Sequence, residues 1–122
     1  MDSHKIRSVT LDQHDDLAVL DVVLVEIDTP ALAREFGSEL EMVIQMRPAD
    51  RILLDFSRTK YMSSTAFAVI LGFGRRAGDA GIQVSFSGFI PAVRFGADVL
   101  GIGRIIPIHE TRAAAVKALR QA

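Results

Sequence analysis

The chain has 122 residues, 49% of them hydrophobic, enough for one well-filled core and too few for a second domain of useful size. Its 14 basic and 15 acidic side chains leave a formal charge of −1, and the densest basic pair, Arg75-Arg76, stands alone; a nucleic-acid partner would call for a basic excess or stripe. There is no cysteine, which removes disulfides, thiol nucleophiles and thiolate metal sites together.

The N-terminus, Met1-Asp2-Ser3-His4-Lys5, lacks the apolar core of a signal peptide. The longest apolar stretch, Leu17 to Val25, is interrupted by Asp21 and falls short of the roughly 18 residues a membrane span needs. The simplest reading is a cytoplasmic protein with no membrane insertion. Ile6 to Leu11 and Leu17 to Ile27 read as strands joined by the polar turn Asp12-Gln13-His14-Asp15-Asp16, a hairpin whose second strand is apolar on both faces. Asp28-Thr29-Pro30 then starts a helix, with a capping side chain ahead of a proline. Leu32, Phe36, Leu40, Val43 and Ile44 recur at helical spacing until Met46-Arg47-Pro48 ends it.

Arg51 to Phe56 is a short buried strand, followed by a polar connection, Ser57-Arg58-Thr59-Lys60, and by Tyr61-Met62-Ser63-Ser64-Thr65. From there to Ala77 the pattern is helical. Phe67, Ile70, Leu71 and Gly74 make one stripe, and Ala66, Val69 and Phe73 a neighbouring one. Gly78 and Gly81 stop the helix, and Ile82 to Phe86 is the next strand. A helix from about Pro91 to Leu100 sets Val93, Ala97 and Leu100 on one face. Arg104 to Ile108 reads as a last strand, with Pro107 marking an edge position. Thr111 caps a final helix with Val116 and Leu119 facing the core. The order is β-β-α-β-α-β-α-β-α in a single domain over residues 1–122, an α/β fold with a small mixed sheet, parallel after the first hairpin, packed with four helices.

Motifs for chemistry are few. Gly72-Phe73-Gly74-Arg75-Arg76-Ala77 has the letters of a dinucleotide-binding fingerprint, but it begins inside a helix, where no free amides face a phosphate. A helix with small residues for close packing is the better account. His4, His14 and His109 are scattered through polar or turn-like stretches and read as solvent-facing, so neither metal nor cofactor is expected. No nucleophile elbow, Walker-type loop or His-Glu-x-x-His pair is present, and no base neighbours a candidate serine, which argues against an enzyme. What stands out is three consecutive hydroxyls, Ser63-Ser64-Thr65, opening a helix just after a strand. Two readings stand side by side. Ser63 caps the helix and its neighbours are polar filler, or the helix start, with its free amides and macrodipole, accommodates a phosphorylated serine without disturbing the fold.

The segment Leu54-Asp55-Phe56-Ser57, then Tyr61 to Gly72, resembles the STAS domain, in which a buried strand ending in Asp-Leu-Ser precedes Phe-Ile-Asp-Ser-Ser-Gly-Leu-Gly-Val-Leu. Element order, chain length and the strand Ile82-Gln83-Val84-Ser85-Phe86 agree, so the resemblance covers nearly the whole chain. It implies an anti-sigma factor antagonist with Ser64 at the phosphoacceptor position and Thr65 at the neighbouring hydroxyl. Ser63 stands where the family has an acidic residue, and Ala66 where it has glycine. The implied partners are an anti-sigma factor or serine kinase and a phosphatase. Arg58, Lys60, Tyr61 and Met62 are expected to line the contact beside the helix start, and Ala66, Val69 and Phe73 form a stripe open to two readings, exposed contact or core. Two further readings stand beside this one: a non-switching STAS scaffold in a stress-signalling or lipid-transport complex, and a small-ligand or nucleotide-binding α/β domain.

Overall fold

The computed structural model describes residues 7–121. The expected start of the first strand at Ile6, and His4, lie outside the described residues. Strands β1 (Val9–His14) and β2 (Leu17–Val22) form the antiparallel hairpin, with Asp15 in the left-handed region (φ 55°) at its tight turn. The remaining elements are β3 (Glu26–Ile27), α1 (Pro30–Met46), β4 (Arg51–Asp55), β5 (Tyr61–Met62), α2 (Ser64–Asp79), β6 (Gln83–Ser87), α3 (Pro91–Val99), a 3-10 turn (Ile102–Arg104), β7 (Ile108–His109) and α4 (Arg112–Gln121). Five strands make one sheet in the order β1-β2-β4-β6-β7, parallel from β2 onward, and β3 and β5 make a separate two-stranded parallel sheet.

Period-2 alternation divides the strands between two layers. Ala18, Leu20, Val22, Ile52, Leu54 and Phe86 face the main core, which α1, α2 and α3 close with Phe36, Leu40, Val43, Ala66, Ile70, Phe73, Val93 and Ala97. Leu17, Val19 and Leu53 point the other way and are covered by Ala115 and Leu119 of α4, with Val116 packed against them while partly exposed. Each helix thus buries the stripe its apolar spacing lays down. The buried Glu39 of α1 ties the chain before β1 to the main-core side of the sheet, accepting from the Arg7 amide (2.8 Å), the Ser8 amide (2.7 Å) and the Ser8 hydroxyl (2.5 Å).

Three strand expectations are corrected. The first strand runs on to His14, so that Asp12, Gln13 and His14 are paired in the ladder and only Asp15-Asp16 turns. The run Leu17 to Ile27 is not one strand: the chain leaves the main sheet after Val22, and Glu26–Ile27 pairs instead with Tyr61–Met62. Residues Arg104 to Ile108 are not a strand either. A 3-10 turn occupies Ile102–Arg104, and pairing with β6 is confined to Ile108–His109. Gly101, at φ 70°, starts that turn, and Ile106 is drawn inward to be buried against α2, which rotates the segment away from a ladder. Leu100, expected to face inward, is half exposed beyond the end of α3, and His109, expected in a turn, lies half-buried in β7. Among the described residues no helix is long and apolar enough to cross a membrane.

Candidate functional site

The start of α2 is fixed from three directions. Phe56 is buried, and its amide donates to the Ser87 carbonyl (2.9 Å), so the chain leaving β4 stays anchored to β6. A turn at Ser57-Arg58 follows, and the buried Thr59 hydroxyl donates to the Leu24 carbonyl (2.8 Å). The Lys60 amide donates to the Val25 carbonyl (2.7 Å) and the Ser63 amide to the Ile27 carbonyl (3.0 Å), with the β3–β5 pairing between them. This short parallel ladder locks the approach to α2 onto the approach to α1. Ser63 then sits in extended conformation (φ −72°, ψ 166°), and its Oγ accepts from the Ala66 amide at 3.2 Å. It is a serine N-cap, as the hydroxyl run predicts.

Ser64, the first residue of α2, is exposed, and so is Thr65. Arg58, Lys60 and Tyr61 are also exposed, on the connection that leads to Ser63. Other members of the expected contact are not available. Met62 is nearly buried, and Ala66 and Phe73 are wholly buried in the main core. Val69 is partly buried and faces α1, where a Cβ on Gly37 would lie 3.4 Å from its Cγ1. The stripe Ala66, Val69 and Phe73 is therefore core, because it is the side of α2 that meets α1 and the sheet. The glycine-rich segment 72–77 lies wholly inside α2, with no free amides to hold a phosphate.

Ser64 instead shares a face with Phe67, Ala68 and Leu71, at i, i+3, i+4 and i+7. With Leu100 and Ile102 they line an apolar groove of about 160 Å³ between α2 and the end of α3. The helical spacing alone could have marked Phe67, Ala68 and Leu71 as companions of Ser64. Leu100 and Ile102 could not be found that way, because the fold brings them in from another element.

At the end of β4, toward α4, lies a polar network that no local sequence pattern marks. Asp55 ends β4 with its side chain 2% exposed. Its Oδ1 accepts from the Ser57 amide (3.0 Å) and the Ser57 hydroxyl (2.5 Å), its Oδ2 accepts from the Ser87 hydroxyl (2.8 Å), and Arg112 Nε stands 3.6 Å away. Arg112 also pairs with Asp21. Burial opposes the charge on Asp55, but the bonds from Ser57 and Ser87 and the charge of Arg112 outweigh it and hold the carboxyl below its ordinary value of 3.8. Gly88 passes close over this cluster at φ 79°, where a Cβ would lie 3.1 Å from Asp55 Oδ2, a place only glycine fills without strain. One carboxylate thus joins β4, β6 and the start of α4. No group of three or more metal-ligating side chains is assembled among the described residues.

Several solved structures share this architecture. A Thermotoga maritima chain, described as a candidate anti-sigma factor antagonist, superposes with a TM-score of 0.80 at 17% identity over 92% of this chain and 94% of its own. An anti-sigma factor antagonist from Mycobacterium paratuberculosis gives 0.80 at 20% identity, covering 92% of each chain. The anti-sigma factor antagonist SpoIIAA gives 0.73 at 19% identity in its unphosphorylated form, over 93% of this chain and 97% of its own. Its phosphorylated form, from Bacillus, gives 0.66 at 17% identity over 90% and 97%. At these identities the likeness carries the fold alone. Comparison with curated protein sequences found no match. A family model described as the STAS domain matches residues 9–115, taking in every strand and helix from β1 to the first turn of α4. The chain belongs to the STAS domain family.

Proposed function

We propose that this protein is a protein-interaction module of the anti-sigma factor antagonist type, which binds an anti-sigma factor or serine kinase and is switched by phosphorylation of Ser64. The observation that carries this reading is the position of Ser64: exposed, first in α2, next to a serine N-cap and on the rim of an apolar groove. The amides of a helix's first turn have no intrahelical acceptor, and the macrodipole favours negative charge there. A phosphate of about −1.5 to −2 charges is therefore tolerated by the domain itself. The same group in a docked complex, desolvated beside apolar side chains, costs several kcal/mol unless the partner pairs it. About 3 kcal/mol lowers affinity roughly a hundredfold.

The contact surface on this reading comprises Arg58, Lys60 and Tyr61 on one side of Ser64, and on the other Ala68, Leu71 and Leu100, the side chains of the groove that reach the surface. Kinase and phosphatase would act on the same exposed hydroxyl from the cytoplasm. That SpoIIAA has been solved in both phosphorylated and unphosphorylated forms supports the assignment by analogy of fold.

The test is incubation with the cognate kinase and ATP, followed by mapping of phosphate by mass spectrometry. The expected product carries phosphate on Ser64, and the modified protein loses the partner. Label on none of Ser63, Ser64 and Thr65 would sink the switch and leave a scaffold that binds without it.

A further inference from the structure

We propose that Gly96 of α3 is a positioning residue for the contact beside Ser64: by letting the Phe67 ring lie against α3, it sets the width of the groove that seats an apolar side chain of the kinase. The inference rests on the reading of Ser64 given above. Gly96 lies inside α3 in ordinary helical conformation, so the backbone there does not demand glycine. Helix propensity disfavours it. Space accounts for it instead. A Cβ at Gly96 would lie 2.9 Å from Phe67 Cε2 and 3.0 Å from Cζ, closer than the ~3.5–4.0 Å at which carbon atoms pack. Phe67 stands one turn from Ser64 on the same face of α2, and its buried ring lines the groove. Leu100 stands one turn beyond Gly96, its amide donating to the Gly96 carbonyl (3.1 Å), and lines the groove from the α3 side.

Two adjustments absorb a side chain at Gly96, and both reshape the groove. The atoms it meets are the tip of a side chain rather than backbone, so the ring can swing away from α3. The core around the ring is close-packed. The open space that the ring borders is the groove, which then narrows. If the ring stays in place, α3 lifts from α2 and carries Leu100 with it, and the groove widens. In a groove of about 160 Å³, either change is a misfit on the scale of one carbon group. One methylene more or less in an apolar pocket changes discrimination about tenfold or more. Ser64 and its serine N-cap are left as they are, so the acceptor hydroxyl stays in place while the seat beside it changes.

Steady-state phosphorylation by the serine kinase that labels Ser64 tests this, with the full chain as the varied substrate. Gly96→Ala is expected to raise KM about tenfold and leave kcat unchanged, a split that loss of fold would not give. Adding Phe67→Leu removes the two ring atoms that the new Cβ meets, and is expected to bring KM back toward the wild-type value. Leu100→Ala truncates a half-exposed side chain outside the core, and is expected to raise KM by a similar factor even where alanine at 96 does not fold. An unchanged KM in Gly96→Ala overturns the inference, as does an unchanged KM in Leu100→Ala, while phosphate on Ser64 in the same assay keeps the switch. A raised KM that Phe67→Leu does not lower overturns it too, because the effect then does not run through the ring. Wild-type protein that takes no phosphate on Ser64 overturns both the inference and the reading beneath it.

Discussion

Asp55 shows how much a single carboxylate does at the end of β4. It accepts three hydrogen bonds and faces a guanidinium, so replacing it by asparagine turns one acceptor into a donor that confronts donors. We expect Asp55→Asn to lower unfolding free energy by about 2–3 kcal/mol, read as a lower urea midpoint at unchanged slope. The acid limb of stability provides a second readout. Because the folded carboxyl lies below its ordinary value of 3.8, the unfolded chain takes up the proton first. The stabilisation is fully present above that value and is lost as pH falls through the lower, folded one. Acid unfolding of the wild type should therefore steepen below pH 3.8, and Asp55→Asn should flatten that limb. Equal steepness in both proteins would remove Asp55 as the cause. This network could not be read from sequence, since Asp55, Ser87 and Arg112 are joined by strand pairing and by the docking of α4, and no local pattern links them. Ser63 and Ser64 were legible because a cap and a first helical residue are local matters.

Helix α2 displays its packing in its glycines. A Cβ on Gly74 would lie 2.8 Å from Ile106 Cγ1 and closer still to Cδ1, and Ile106 is itself buried. A Cβ on Gly78, one turn on, meets nothing within 4 Å. Glycine in a helix costs roughly 0.5–1 kcal/mol relative to alanine, so the two substitutions should differ in sign. Gly78→Ala is expected to stabilise by about that amount, and Gly74→Ala to destabilise by about 1–2 kcal/mol as overpacking outweighs propensity. Thermal or urea denaturation of the pair decides it, and stabilisation by Gly74→Ala would show that Ile106 moves aside freely. The same contact explains why the last strand was misread. Ile105 and Ile106 have the composition of a strand, but Ile106 is spent on α2, and only Ile108–His109 pairs with β6. The four long helices and β2, β4 and β6 were legible because each carries its own apolar period. The two-residue β3 and β5 were not, since two residues hold no period and their pairing joins segments more than 30 residues apart.

At the scale of the whole molecule, the domain separates what holds it together from what it presents. The main core closes one side of the sheet, α4 closes the other, and Ser64 stands exposed at the start of α2 beside the groove toward α3. The stripe of Ala66, Val69 and Phe73 could be assigned to the core only once α1 was seen to lie against it, since apolar spacing alone does not say which of two adjacent stripes faces inward. This separation makes a definite demand on a switch at Ser64: negative charge there should act on complexes and spare the fold. Ser64→Glu places a carboxylate in the first turn of α2, where the macrodipole favours it by about 0.3–1 kcal/mol. The urea midpoint of the variant should match or slightly exceed that of the wild type. Its affinity for the partner, measured by titration calorimetry, should fall at least about tenfold, because the added charge must be desolvated against the groove rim of Ala68, Leu71 and Leu100. A variant that unfolds more easily would mean that Ser64 belongs to the scaffold. A variant that is stable and still binds the partner at full strength would place the contact surface away from the start of α2.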